Sequence, residues 1–137
     1  MRVCLLVGAI LLLSCSCGGS PTTPSALPSP VPFVGSWLNI DPQTRGLPQI
    51  TINMQVNAVT VHAYGSCVPT YCDWGIVGAT ESADGALHVV WNAGFEITTQ
   101  TLTISSNGQL VSAAHTHFTD GSGRADYDFV DVFNKVS

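Results

Sequence analysis

The chain is 137 residues long, with 45% hydrophobic residues, only 9% charged residues and a formal net charge of −5. Four Lys and Arg against 9 Asp and Glu leave no basic footprint for nucleic acid or another polyanion, which excludes that class of partner.

Arg2 precedes an apolar run from Val3 to Leu13 that is too short to span a bilayer as a helix but suits the hydrophobic region of a secretory signal. The run ends in Leu12-Leu13-Ser14-Cys15, which resembles the bacterial lipobox. The resemblance implies a signal over residues 1–14, cleavage ahead of Cys15 and acylation of that cysteine. Cys17 fits less well, because Ser14 instead of Leu stands three residues before it. Ser16 after the anchor, where aspartate is absent, implies by the same resemblance the outer membrane of a bacterial cell envelope. From Ser16 to Pro32 the chain reads SCGGSPTTPSALPSPVP, without apolar periodicity. Residues 15–32 therefore read as a lipidated cysteine and a Pro/Ser-rich tether that holds the next segment away from the membrane.

Residues 33–137 suit one domain with one modest core. Eight segments rich in β-branched and aromatic residues predict strands: Phe33 to Ile40, Gln49 to Val56, Val59 to Tyr64, Trp74 to Thr80, Ala86 to Asn92, Phe95 to Ile104, Gln109 to Phe118 and Ala125 to Phe133. Asp41-Pro42, Asn57-Ala58, Asp84-Gly85, Asn92-Ala93-Gly94, Asn107-Gly108 and Asp120-Gly121-Ser122-Gly123 separate them with residues that start turns or tolerate positive φ. The expected fold is all-β, an antiparallel up-and-down meander closed into an eight-stranded barrel, because closure removes two edges that an open sheet would expose.

Between the third and fourth segments lies GSCVPTYCDWG, Gly65 to Gly75. Export places thiols in an oxidising compartment, Cys67 and Cys72 have no competing cysteine in the domain, and Val68-Pro69-Thr70-Tyr71 can turn. A disulfide is the simplest reading. A zinc site needs two more ligands, with only His62 near in sequence, and a redox pair wants a shorter C-x-x-C at a helix start. Tyr64, Tyr71 and Trp74 bracket the cysteines and are the expected ligand contacts, with Trp74 alternatively plugging the barrel end.

Gly35-Ser36-Trp37 on the first strand resembles the G-x-W of lipocalin and avidin-like barrels, which implies Lys135 on the last strand as a cation over the indole. WLNIDPQTRG, VHAYGSC, PTYCDWG and FTDGSGRADY in order are similar to uncharacterised secreted bacterial β domains, a likeness that implies no activity.

Catalytic chemistry has few candidates. No G-x-S-x-G elbow is present, and the bases are His62, His115 and His117. His62 with Asp73 is the hydrolase alternative. His115 and His117 alternate across Thr116, share one strand face and are the metal alternative, against the plainer reading of a solvent-facing or half-buried face. His88, amid Leu87 and Val89, reads as a hydrogen-bonded structural histidine. Asp120, Ser122, Asp126 and Asp128 are spaced somewhat like calcium ligands, but Arg124 breaks the pattern and favours a hairpin turn. Paired carboxylates such as Asp73 with Glu96 or Asp126 have a separation only the fold can set.

The sequence thus predicts a lipid-anchored envelope protein, not an enzyme, whose barrel binds a small molecule, carbohydrate or protein non-covalently, with no cofactor and no metal. The alternatives are an envelope enzyme using His62/Asp73 or His115/His117, and a structural protein or inhibitor acting through its loops.

Overall fold

The computed structural model describes residues 29–137. The signal, Cys15, Cys17 and the tether before Ser29 lie outside the described residues. A 3-10 turn at Val31–Phe33 leads into eight strands: β1 Gly35–Asn39, β2 Gln49–Gln55, β3 Ala58–Gly65, β4 Cys72–Glu81, β5 Leu87–Asn92, β6 Glu96–Ile104, β7 Leu110–Phe118 and β8 Tyr127–Lys135. Each strand pairs antiparallel with the next, and β8 returns to β1 through Trp37↔Lys135, Leu38↔Asn134 and Asn39↔Phe133. The chain forms the expected meander, closed into a barrel.

Alternation explains which face each strand buries. In β5, Leu87, Val89 and Trp91 are buried while His88, Val90 and Asn92 are exposed. Trp37, Ile50, Ile52, Val61, Leu102, Leu110 and Phe133 fill the interior together with the β5 residues. Inward polar groups pair with each other, as burial requires: Trp91 Nε1 donates to Gln100 Oε1 at 2.8 Å, Gln100 Nε2 donates to Ser112 Oγ at 2.6 Å, and the Thr98 and Thr116 hydroxyls bond at 2.8 Å. Among the described residues these apolar side chains and paired polar groups pack the interior.

Two local departures from the expected strands have physical causes. Phe33 belongs to the 3-10 turn and not to β1: it follows Pro32, which has no N–H for a ladder, and its carbonyl accepts a bond from Trp37 Nε1 at 2.7 Å. The register of β3 with β4 shifts between His62 and Tyr64, because His62 faces Ile76 while Tyr64 faces Asp73. One extra residue therefore sits in β4 as a bulge, and Gly75 at φ 82° occupies the left-handed position such a bulge uses. Its consequence is an inversion of facing. Strict alternation would put Trp74, Ile76 and Gly78 on one side, whereas the bulge turns Trp74 inward, Ile76 outward and Val77 inward again onto the core.

Strand direction sorts the connections into two ends. Residues 40–48, 66–71, 93–95 and 119–126 form one end, called here the mouth. The 3-10 turn, residues 56–57, 82–86 and 105–109 and the C-terminal residues form the other.

Candidate functional site

Trp74 stands at the mouth. Its ring meets Trp91 edge-on, with centroids 5.7 Å apart and planes at 73°. Gly65 on the facing strand makes room for it, since a Cβ there would lie 2.5 Å from Trp74 Nε1. The indole is the common wall of two clefts. One, of about 300 Å³, is lined by Trp74, Tyr127, Phe129, Arg45 and the Cys67–Cys72 bridge, among others. The other, of about 210 Å³, lies against Trp91, Phe95, Asp73 and Glu96. Aromatic rings continue around the rim: Phe118 to Tyr127 at 6.0 Å and Tyr127 to Phe129 at 6.1 Å.

The loops that build this end are held by polar contacts. Asp131, buried on β8, accepts bonds from Asn39 Nδ2 at 2.7 Å, Thr44 Oγ1 at 2.9 Å and the Leu47 backbone N–H at 2.9 Å, tying down the β1–β2 loop. Cys67 and Cys72 form the expected disulfide, with Cα atoms 5.5 Å apart, directly after the Gly65↔Cys72 pair ends the β3–β4 ladder. In the β7–β8 loop, Arg124 pairs with Asp120 at 2.6 Å and lies over the Phe118 ring at 3.9 Å and the Phe95 ring at 5.5 Å. The Ser122 hydroxyl, then the Ser122 backbone N–H and then Arg124, hold Asp120 down at about 2. Arg124 thus closes the acidic loop on itself as a turn, in place of a ring of calcium-binding oxygens.

Of the three expected contact residues, only Trp74 lines the clefts. Tyr64 is on the outer wall, its ring 4.4 Å from that of His62. Tyr71 projects from the disulfide loop at 56% exposure. Sequence reasoning missed Arg45, which sits on a loop, and Tyr127 and Phe129, which lie on the expected last strand but meet this cleft only through closure of the barrel.

The expected His62–Asp73 pair does form: Nε2 lies 2.7 Å from Asp73 Oδ1, and the Tyr64 hydroxyl is 3.3 Å from His62 Nδ1. The Gly75 backbone N–H first, and His62 second, lower the Asp73 carboxyl below its ordinary value. The chain Asp73–His62–Tyr64 runs along the outer wall and reaches no serine, threonine or cysteine among the described residues. His115 and His117 also face outward: His115 Nδ1 lies 2.8 Å from Asp128 Oδ1 and His117 Nδ1 lies 2.8 Å from Asp126 Oδ2. Among the described residues no group of three or more His, Cys, Asp or Glu is arranged to hold a metal ion. His88 is exposed on β5, with Nδ1 3.2 Å from the Thr101 hydroxyl. Lys135 Nζ lies 5.5 Å from the Trp37 ring centroid.

Comparison with protein-family models, with curated proteins and with solved structures gives no match to this chain.

Proposed function

We propose that the domain is a non-catalytic binding module of the bacterial cell envelope, anchored through Cys15, which takes a small ligand at the mouth of its barrel. The observation that carries this reading is the inward-turned Trp74: a bulge places an indole between two clefts at one end of an otherwise filled barrel. A half-buried indole with apolar walls gives a ligand a large contact area, and the rings beside it are held by backbone, so little order is lost on binding. The His115 and His117 pairs line neither cleft, and the His62–Asp73 pair touches only the smaller one, through Asp73; none is assigned chemistry.

The test is a fragment screen by ligand-observed NMR on the soluble domain and its Trp74→Ala variant. Flat apolar fragments should give saturation-transfer signals that the variant weakens by about tenfold or more in affinity. Hits indifferent to Trp74, or an absence of hits, refute the reading. Membrane extraction of the full chain tests the anchor, since Cys15→Ser should release the protein into the aqueous fraction.

A further inference from the structure

The two clefts beside Trp74 differ in charge. Asp73 and Glu96 line the smaller one, with no cation. The larger one is lined by Arg45 and by no carboxylate. The chain has 4 Lys and Arg in all, of which Arg45, Arg124 and Lys135 fall in the domain. Arg124 is used by Asp120 and two phenyl rings, and Lys135 lies near Trp37 at the far end. Arg45 is exposed and makes neither an ion pair nor a side-chain hydrogen bond among the described residues.

That isolation is built into the loop. Asp131 lies against the neighbouring Gly46 but is buried and occupied by Asn39, Thr44 and the Leu47 N–H. These bonds hold the residues on both sides of Arg45 and leave its guanidinium free. Asp41, the other carboxylate of the loop, accepts the Gln43 N–H. An unpaired guanidinium on a cleft also lined by Trp74, Tyr127, Phe129 and a disulfide combines an available cation with apolar walls. The Tyr127 hydroxyl, also without a partner among the described residues, adds a neutral donor to the same cleft. A planar fork of N–H donors matches a carboxylate in bidentate fashion.

We infer that the larger cleft takes a flat, apolar monoanion, an aromatic carboxylate in the simplest case, with its ring against Trp74 and Phe129 and its carboxylate on Arg45. The inference rests on the binding function proposed above and names the class of its ligand. A two-ring acid fits a cleft of about 300 Å³. Asp73 and Glu96 disfavour an anion in the smaller cleft.

The experiment is isothermal titration calorimetry of the domain with 2-naphthoate and with its uncharged isostere 2-naphthamide. The wild type should bind the carboxylate at least about tenfold more tightly, as a charge-assisted pair implies. Arg45→Gln, on an exposed loop position, should erase that preference by weakening the carboxylate far more than the amide, while Trp74→Ala weakens both probes. Equal binding of the two probes by the wild type, or a preference that survives Arg45→Gln, overturns the charge assignment. If Trp74→Ala still weakens both in that case, binding at the mouth stands without it. Failure of both probes to bind the wild type at millimolar concentration overturns both.

Discussion

Asp120 shows how a single side chain at the mouth ties folding to pH. Its carboxyl moves from 3.8 to about 2 because the folded β7–β8 loop supplies the Ser122 hydroxyl, the Ser122 N–H and Arg124. A folded value below the unfolded one means stabilisation that is fully present above about pH 4 and is lost as pH falls through about 2. Asp73 and Asp126 are lowered as well, Asp73 chiefly by the Gly75 N–H and Asp126 chiefly by its hydrogen bond with His117, so they act in the same direction. Thermal melting between pH 5 and pH 2 should show a decline that Asp120→Asn makes shallower; a variant whose melting temperature declines by the same amount as the wild type would show that the loop carboxylate is not the responsible group. At this scale the sequence was legible wherever neighbours in the chain are neighbours in space. Cys67 and Cys72 close a local loop, and His62 meets Asp73 across one hairpin. Arg45 was not legible, because its freedom depends on an aspartate on the last strand being occupied by Thr44 and Leu47.

The strands were legible because β-branched residues alternate between turn signals, and a barrel buries only one face of each. Their ends moved by a few residues where loop contacts outcompete the ladder: Asp126 bonds His117 before β8 begins at Tyr127. The β4 bulge was hidden for a different reason. A glycine inside a strand is compatible with a bulge or with plain pairing, and only the register with His62 decides. That bulge is what aims Trp74, so the centre of the candidate site turned on a feature that periodicity does not encode. The disulfide completes the same hairpin. Closing so short a loop accounts for about 2 kcal/mol in the chain-entropy model, small against the gross stabilisation from a packed eight-stranded interior. The Cys67→Ser/Cys72→Ser variant should therefore keep its β-sheet circular dichroism at room temperature, melt earlier, and bind 2-naphthoate more weakly, because the bridge is part of the cleft wall. Loss of the barrel, or binding equal to wild type, would show that the bridge serves the fold and not the cleft.

At the scale of the whole molecule, the clefts beside Trp74 that carry the proposed binding lie at one end of the barrel, and the order of the chain decides how that end is presented. Residues 29–33 pack at the end opposite the mouth, where Ser29, Pro32 and Phe33 line a cleft with Asp84 and Gly85, and Pro30 lies beside Met54 and Val56. On the proposed anchoring through Cys15, the chain therefore enters the barrel at the end opposite the mouth. A strand such as β7, 9 residues long, rises about 20–25 Å along the axis of a tilted barrel, which sets the separation of the two ends. Charge works in the same direction. Asp41, Asp73, Glu96, Asp120 and Asp126 outnumber Arg45 and Arg124 at the mouth end, while Glu81 and Asp84 are offset in part by Lys135 at the other, so an anionic lipid surface repels the mouth somewhat more than the base. We expect the anchored protein to point its mouth away from the bilayer. In vesicles carrying an acceptor lipid, a donor dye on Asn107→Cys, at the base, should transfer energy more strongly than the same dye on Ser122→Cys, at the mouth, each in a Cys17→Ser background. Equal transfer would mean that the barrel tumbles freely on its tether, and stronger transfer from position 122 would mean that the mouth faces the membrane and that its ligand comes from there.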